Sequence, residues 1–204
     1  MPPILGALIA YLLGGIPAAY IAGRLVRGID IREHGSGNLG ATNVYRVLGM
    51  KVAAPVMGFD ILKGALPVLV LPRFVATPQP ALWALLYGLL AIIGHVRSPY
   101  LRWRSGGKGV ATGLGVFLAL ATLPTLAALG LWGIVFRISG FVSLASLSAA
   151  VALPLAIALL DGIRAPVFGL SLVVSLFVFW THRDNIGRLR RGEERRAGHE
   201  TPAT

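Results

Sequence analysis

The sequence contains no cysteine, which excludes disulfides, a thiol nucleophile and a cysteine-ligated metal. Charge is also scarce. Only 13% of the 204 residues are charged, while 55% are hydrophobic. A soluble domain of this size would not be that apolar, so the balance indicates a polytopic membrane protein. The charge present leans one way, with 19 Lys and Arg against 8 Asp and Glu. Nucleic acid could account for such an excess, but in a membrane protein the commoner cause is arginine on the cytoplasmic side, where it also attracts anionic lipid. Only Tyr45, Tyr100 and Trp103 interleave with the basic residues of the polar loops, too sparse a set for a base-stacking platform, and no nucleic-acid partner is expected. No Lys or Arg precedes the first apolar run, Ile4 to Gly23. A signal peptide would carry positive charge there, so this run reads as a retained span with the N-terminus outside.

What is present is organised around Gly35-Ser36-Gly37-Asn38-Leu39-Gly40-Ala41-Thr42-Asn43-Val44-Tyr45-Arg46. A polar, glycine-rich loop can turn several backbone N–H groups toward one point and hold an anion. Ser36 and Thr42 add hydroxyl donors, and Arg46 adds a fixed fork suited to phosphate. A second basic, glycine-rich stretch runs from Val96 to Thr112 and contains Gly106-Gly107-Lys108-Gly109. It is not a Walker A loop, because Arg102 and Gly109 stand where that pattern needs glycine and Ser or Thr. It does place Lys108 at a helix start, where the helix dipole also favours an anion.

The apolar runs set the expected topology. Ile4 to Gly23 covers about 30 Å, one hydrocarbon thickness, with Gly14, Gly15 and Pro17 allowing close packing or a kink. Val52 to Leu71 is a second span and carries Asp60 and Lys63 three residues apart, on one helix face. Intramembrane charges are costly and mark either a pair bracing the site or direct substrate contact. Ala81 to Gly94 is a third span, ending at His95, and Gly140 to Leu160 and Ala165 to Thr181 are two more. Between them, Val110 to Phe136 is uncharged and broken by Pro124. Counted as one span it would send the six arginines after Thr181 outside; counted as two it keeps them inside with both glycine loops. The positive-inside rule selects two, hence seven spans with a cytoplasmic C-terminus. One half would then reach only about 20 Å, requiring local thinning or an incomplete crossing. The chain reads as one membrane domain over residues 1–204, with a polar, frayed tail over 188–204.

In this arrangement both loops and the segment His182-Arg183-Asp184-Asn185 face the cytoplasm. Ser36, Arg46, Lys108, His182 and Asn185 can then converge on one inner-leaflet site for phosphorylated ligands. No Ser-His-Asp and no His-x4-Asp arrangement stands out. The reading from another class is a transporter of a phosphorylated solute, but no internal repeat is visible and the polar clusters sit at span ends on one side.

The motifs resemble a known family. Gly35 to Asn43, then Asp60-Ile61-Leu62-Lys63-Gly64, then Gly94-His95 with Gly106-Gly107-Lys108-Gly109-Val110-Ala111-Thr112, are similar to the motifs of the bacterial acyl-phosphate:glycerol-3-phosphate acyltransferases, the PlsY family. His182-Arg183-Asp184-Asn185-Ile186 resembles that family's C-terminal segment. One departure stands out: between His95 and Pro99 the chain holds one residue more than the usual pattern, with Arg97-Ser98 where an apolar residue is common. The resemblance implies an all-α, seven-span enzyme of a bacterial inner membrane. It would transfer an acyl chain from acyl phosphate to the 1-hydroxyl of glycerol 3-phosphate, using no metal, no cofactor and no acyl-CoA directly. It implies that Ser36, Arg46, Lys108, His182 and Asn185 hold glycerol 3-phosphate, and that Gly37, Asn38, Gly40, Thr42 and Asn43, with Gly106 and Gly107, hold the acyl phosphate. Asp60, Lys63 and His95 would support the site, and the enzyme that makes acyl phosphate is a possible partner. An acyl phosphate is already activated, so the protein needs mainly to position and neutralise two phosphates.

Overall fold

The computed structural model describes residues 1–104 and 106–197. They form ten α-helices: α1 Pro3–Gly15, α2 Ala18–Arg27, α3 Ala41–Leu48, α4 Met50–Val70, α5 Pro80–Val96, α6 Val110–Leu120, α7 Thr122–Ser139, α8 Val142–Leu160, α9 Pro166–Thr181 and α10 Arg183–Arg191. Three single 3-10 turns lie at Ile31–Glu33, Leu71–Phe74 and Pro99–Leu101. The chain divides into two compact units, Met1–Val116 and Phe117–Ala197.

The architecture is all-helical with an apolar exterior. Leu25, Ile138 and Leu159 are more than 80% exposed, an arrangement that only a lipid solvent leaves unpenalised. Pro3–Arg27, Met50–Phe74, Thr122–Ser139 and Val142–Leu160 are long and apolar enough to cross a membrane. Pro166–Thr181 with Arg183–Arg191, bent by 57°, adds a fifth candidate, while Pro80–Val96 and Val110–Leu120 are shorter.

Two breaks matter. The first apolar run is two helices: after Gly15 the chain turns extended at Ile16 (φ −57°, ψ 117°), and Pro17, which has no N–H to donate, precedes α2. The kink that Gly14, Gly15 and Pro17 allow is present there as a two-residue break, in a run that still makes one candidate span, Pro3–Arg27. The run from Val110 is also divided, at Ala121 (φ −149°), and Pro124 sits in the first turn of α7, where proline is tolerated.

In the first unit, helices approach through glycine. A Cβ on Gly14 would overlap the Ala91 backbone, and one on Gly94 the Tyr11 carbonyl, so α1 and α5 touch backbone to backbone. α4 and α6 meet in the same way, Gly64 against the Thr112 carbonyl and Gly115 against that of Ile61. Ala19, Ile31, Leu39, Val44, Leu48, Ala53 and Val56 form a core that fixes the first glycine loop between α2, α3 and α4. In the second unit α7 packs on α8, where Trp132 Nε1 donates to Ser146 Oγ at 3.2 Å. The tail expected to fray is instead helical through Arg191, and Arg188 bonds Glu194 beyond it. Residues 198–204 lie outside the described residues.

Gly94→Val should separate α1 from α5 and lower the stability of the purified protein by about 1–3 kcal/mol or more, the usual cost of overpacking. Gly58→Ala, where nothing lies within 4 Å, should leave stability unchanged or slightly raised. Thermal unfolding in one detergent compares them.

Candidate functional site

The first glycine loop is shaped by Asn43. Its side chain is 2% exposed; Oδ1 accepts from the Ser36 backbone N–H at 2.8 Å, and Nδ2 donates to the carbonyls of His34 at 3.0 Å and Ile31 at 3.3 Å. Expected at the acyl phosphate, Asn43 is thus committed to building the loop from inside. The turn needs glycine on both sides of Ser36: Gly35 and Gly37 have φ of +63° and +70°, and a Cβ on Gly35 would overlap Asn43 Oδ1. Ser36 is exposed. Gly40 is the N-cap of α3, and Thr42 and Arg46 fall four residues apart on one face of that helix.

Upstream, Asp30 caps the turn at Ile31–Glu33 and holds Arg32 through both oxygens, at 2.9 and 2.6 Å. The Arg32 hydrogen bonds outweigh burial and hold the Asp30 carboxyl at about 2. The Asp30 carbonyl accepts from His34 Nδ1 at 3.0 Å, which fixes the imidazole. The nearby imidazole is thus turned to the backbone: the His34 Nδ1 that could face a serine is engaged by the Asp30 carbonyl.

The second glycine loop lies against the first, with Asn38 Nδ2 donating to the Gly106 carbonyl at 3.4 Å. Gly106 and Gly107 are buried, and Lys108 follows them, two residues before α6. Both glycines are needed for contact with His95: a Cβ would overlap its carbonyl from Gly106 and its Nε2 from Gly107. His95 Nδ1 lies 3.5 Å from Asp60 Oδ1, and the same oxygen is 2.8 Å from Lys63 Nζ. Asp60, Lys63 and His95 are 2%, 4% and 7% exposed. They line, with Pro17, Ala18, Leu39, Ser98, Gly106 and Gly107, a recess of about 200 Å3 counting its open mouth. Thus the first unit brings Ser36, Asn38 and Lys108 onto two adjoining loops beside a buried ionic cluster, with Arg46 on the helix that follows the first loop.

In the second unit, His182 and Asn185 sit at the bend between α9 and α10, three residues apart and both buried. His182 Nδ1 donates to the Val178 carbonyl at 2.8 Å, which leaves Nε2 as the acceptor in the neutral ring. Asn185 Nδ2 donates to Glu194 Oε1 at 2.5 Å, Ser143 Oγ donates to the same oxygen at 2.8 Å, and Arg188 Nε bonds Oε2 at 2.7 Å. Glu194 is the residue that sequence reasoning missed. It reads there as one acid in an arginine-rich tail, and only the chain's return onto α8 reveals its partners. Burial pushes its carboxyl up, but the bonds from Ser143, Asn185 and Arg188 prevail and hold it below its ordinary value. Among the described residues no three His, Asp or Glu side chains gather as a metal cage would require.

Comparison with known proteins matches residues 4–192 to the family described as glycerol-3-phosphate acyltransferase. The glycerol-3-phosphate acyltransferase of Prochlorococcus marinus (strain NATL1A) is 44% identical over 92% of this chain and 94% of its own, and that of Geotalea daltonii is 44% identical over 91% and 92%. Two crystal structures of PlsY, an integral membrane glycerol 3-phosphate acyltransferase, superpose with TM-scores of 0.88 and 0.85 at 35% and 34% identity. They cover 96% and 95% of this chain and 96% and 94% of their own, and represent the glycerol 3-phosphate and lysophosphatidic acid forms.

Because the folded Glu194 carboxyl titrates below its ordinary 4.5, its contribution to stability is full above about pH 4.5 and is lost as pH falls through the lowered value. Glu194→Gln should cost about 1.5–3 kcal/mol at neutral pH, the scale of hydrogen bonds to a charged group, and should flatten the acid limb of a melting-temperature profile measured against pH.

Proposed function

Because the chain belongs to the glycerol-3-phosphate acyltransferase family, we propose that it takes its acyl group from acyl phosphate and transfers it directly, at the cytoplasmic face of a seven-span fold. The protein is an integral membrane glycerol-3-phosphate acyltransferase that makes lysophosphatidate, an enzyme of phospholipid synthesis. The transporter reading falls with that membership.

The observation that carries the donor assignment is the joining of two phosphate-friendly loops through Asn38 and Gly106. One phosphorylated substrate would engage Ser36, Arg46 and Lys108, with His182 and Asn185 assigned to the same substrate by their motif. The second phosphate would meet Gly37, Asn38, Gly40 and Thr42, with Gly106 and Gly107, over a frame held by Asn43. Oriented N–H groups and fixed cations at charge-bearing oxygens stabilise the transition state without moving. The 1-hydroxyl oxygen of glycerol 3-phosphate attacks the acyl carbonyl carbon, and the carbon–oxygen bond to phosphate breaks. The departing phosphate accepts the hydroxyl proton, so the products are the ester and inorganic phosphate, and no protein base is required. Ser36 serves as a hydrogen-bond donor. The engagement of His34 Nδ1 by the Asp30 carbonyl supports this role, since a serine nucleophile needs a base held by a third group. The apolar helix surfaces offer the acyl chain a lipid-side berth, and the enzyme that makes acyl phosphate would deliver it from the cytoplasm.

Purified enzyme should form lysophosphatidate from acyl phosphate and glycerol 3-phosphate, and none from acyl-CoA. Intact-protein mass spectrometry after incubation with acyl phosphate alone should find no acyl adduct, and initial-rate plots should intersect. An adduct on Ser36 with parallel plots would overturn direct transfer.

The seven-span arrangement, with the N-terminus outside, is tested on the naturally cysteine-free chain. Single probes at the exposed positions Glu33→Cys, Arg104→Cys and Arg190→Cys should react with a membrane-impermeant reagent only from the cytoplasmic side, and Gln79→Cys only from the other. Outside labelling at any of the first three would overturn it.

A further inference from the structure

Breaking an apolar helix releases carbonyls that apolar surroundings cannot satisfy, so such a break persists only where protein supplies partners. At the α1–α2 break the Ile16 carbonyl accepts locally from Ala18 N at 3.1 Å, and two buried side chains from distant elements supply the other partners. Ser98 Oγ donates to the Gly15 carbonyl at 2.6 Å, and Lys63 Nζ donates to the Ile16 carbonyl at 2.8 Å. Ser98 is 1% exposed and Lys63 4% exposed.

Both side chains lead to the second glycine loop. Lys63 pairs with Asp60, Asp60 lies against His95, and His95 abuts Gly107. Ser98 begins a closed excursion: its carbonyl accepts from Leu101 N at 3.2 Å and Trp103 N at 2.9 Å, and Gly106 N then closes the neck on the Val96 carbonyl at 2.9 Å. Inside it Arg102 and Trp103 both adopt positive φ, 54° and 56°, a strained pair that needs external anchoring. Tyr11 OH donates to the Arg97 carbonyl at 2.9 Å, so two successive residues staple the excursion to the end of α1.

We propose that Lys63 and Ser98 are positioning residues: together they clamp the α1–α2 break and thereby set the place of the Gly106–Lys108 loop against substrate phosphate. Neither needs to touch substrate. The serine in the extra-residue segment after His95 is then the means by which this chain accommodates that segment, since it brings a polar anchor to the carbonyl at the end of α1. The inference rests on Lys108 engaging phosphate, as proposed above.

The test uses the full-length enzyme in lipid nanodiscs, as Ser98→Ala, Ser98→Thr and Lys63→Met. With glycerol 3-phosphate varied, Ser98→Ala and Lys63→Met should raise its KM about ten-fold or more, within the range that a small misplacement produces, while kcat changes by no more than about three-fold. Ser98→Thr, which keeps the hydroxyl, should restore the wild-type KM. Amide hydrogen exchange, read without substrate, should accelerate in residues 96–112 and at the start of α2, but not in α8. An unchanged KM in the folded variants, or exchange that rises uniformly or not at all in 96–112, would overturn the clamp. If Lys63→Met fails to fold, Ser98→Ala decides. Failure of the donor reading shows instead in wild-type turnover, which the exchange measurement does not involve.

Discussion

A backbone polar group in hydrocarbon must find its partner within the protein, and the break at Ile16 makes that requirement the organising fact of the first unit. An uninterrupted helix would satisfy itself and owe nothing to its neighbours. The interruption before Pro17 instead ties α1 to Lys63 on α4 and to Ser98 after α5. The buried ammonium in turn requires Asp60, and Asp60 is shared with His95. A charge this buried is sustained by a close counter-ion and a backbone acceptor together, since desolvation of either ion alone would cost several kcal/mol.

Glycine makes these contacts reachable. Without a hydrophobic force between helices in lipid, association depends on dispersion and close backbone approach. Gly14 and Gly94 let α1 meet α5, and Gly64 and Gly115 let α4 meet α6. The same absence of side chains at Gly106 and Gly107 lets the second glycine loop rest on His95. Helix glycines and loop glycines are therefore one continuous device: the first set brings the helices close, and the second seats the loop on the surface so formed.

The second unit meets the requirement differently. At the α9–α10 bend, His182 is tied to the turn that precedes it, and the chain returns so that Glu194 gathers Ser143, Asn185 and Arg188. A carboxylate with three donors is a strong fixture, and it orients the Asn185 amide, which local helix geometry alone would leave to rotate.

Much of this was legible in the chain itself. Run length and the scarcity of charge gave the apolar helices, because a hydrophobic stretch near membrane thickness has few other structures open to it. The division of Val110–Phe136 followed from the arginine distribution, and the two glycine loops from composition and spacing; the motifs they carry identify the family. Other features were decided only by the tertiary structure. Gly14, Gly15 and Pro17 signal close packing or a kink, but which side chains meet the carbonyls there, Ser98 and Lys63 at 83 and 47 residues away, is set by the fold. The commitment of Asn43 to the loop interior depends on carbonyls at Ile31 and His34, and the value of Glu194 depends on the return of the tail to α8. Periodicity and composition describe how a segment meets its solvent. Which donor meets which distant carbonyl depends on the depth and rotation of packed helices, and those are properties of the assembled fold alone.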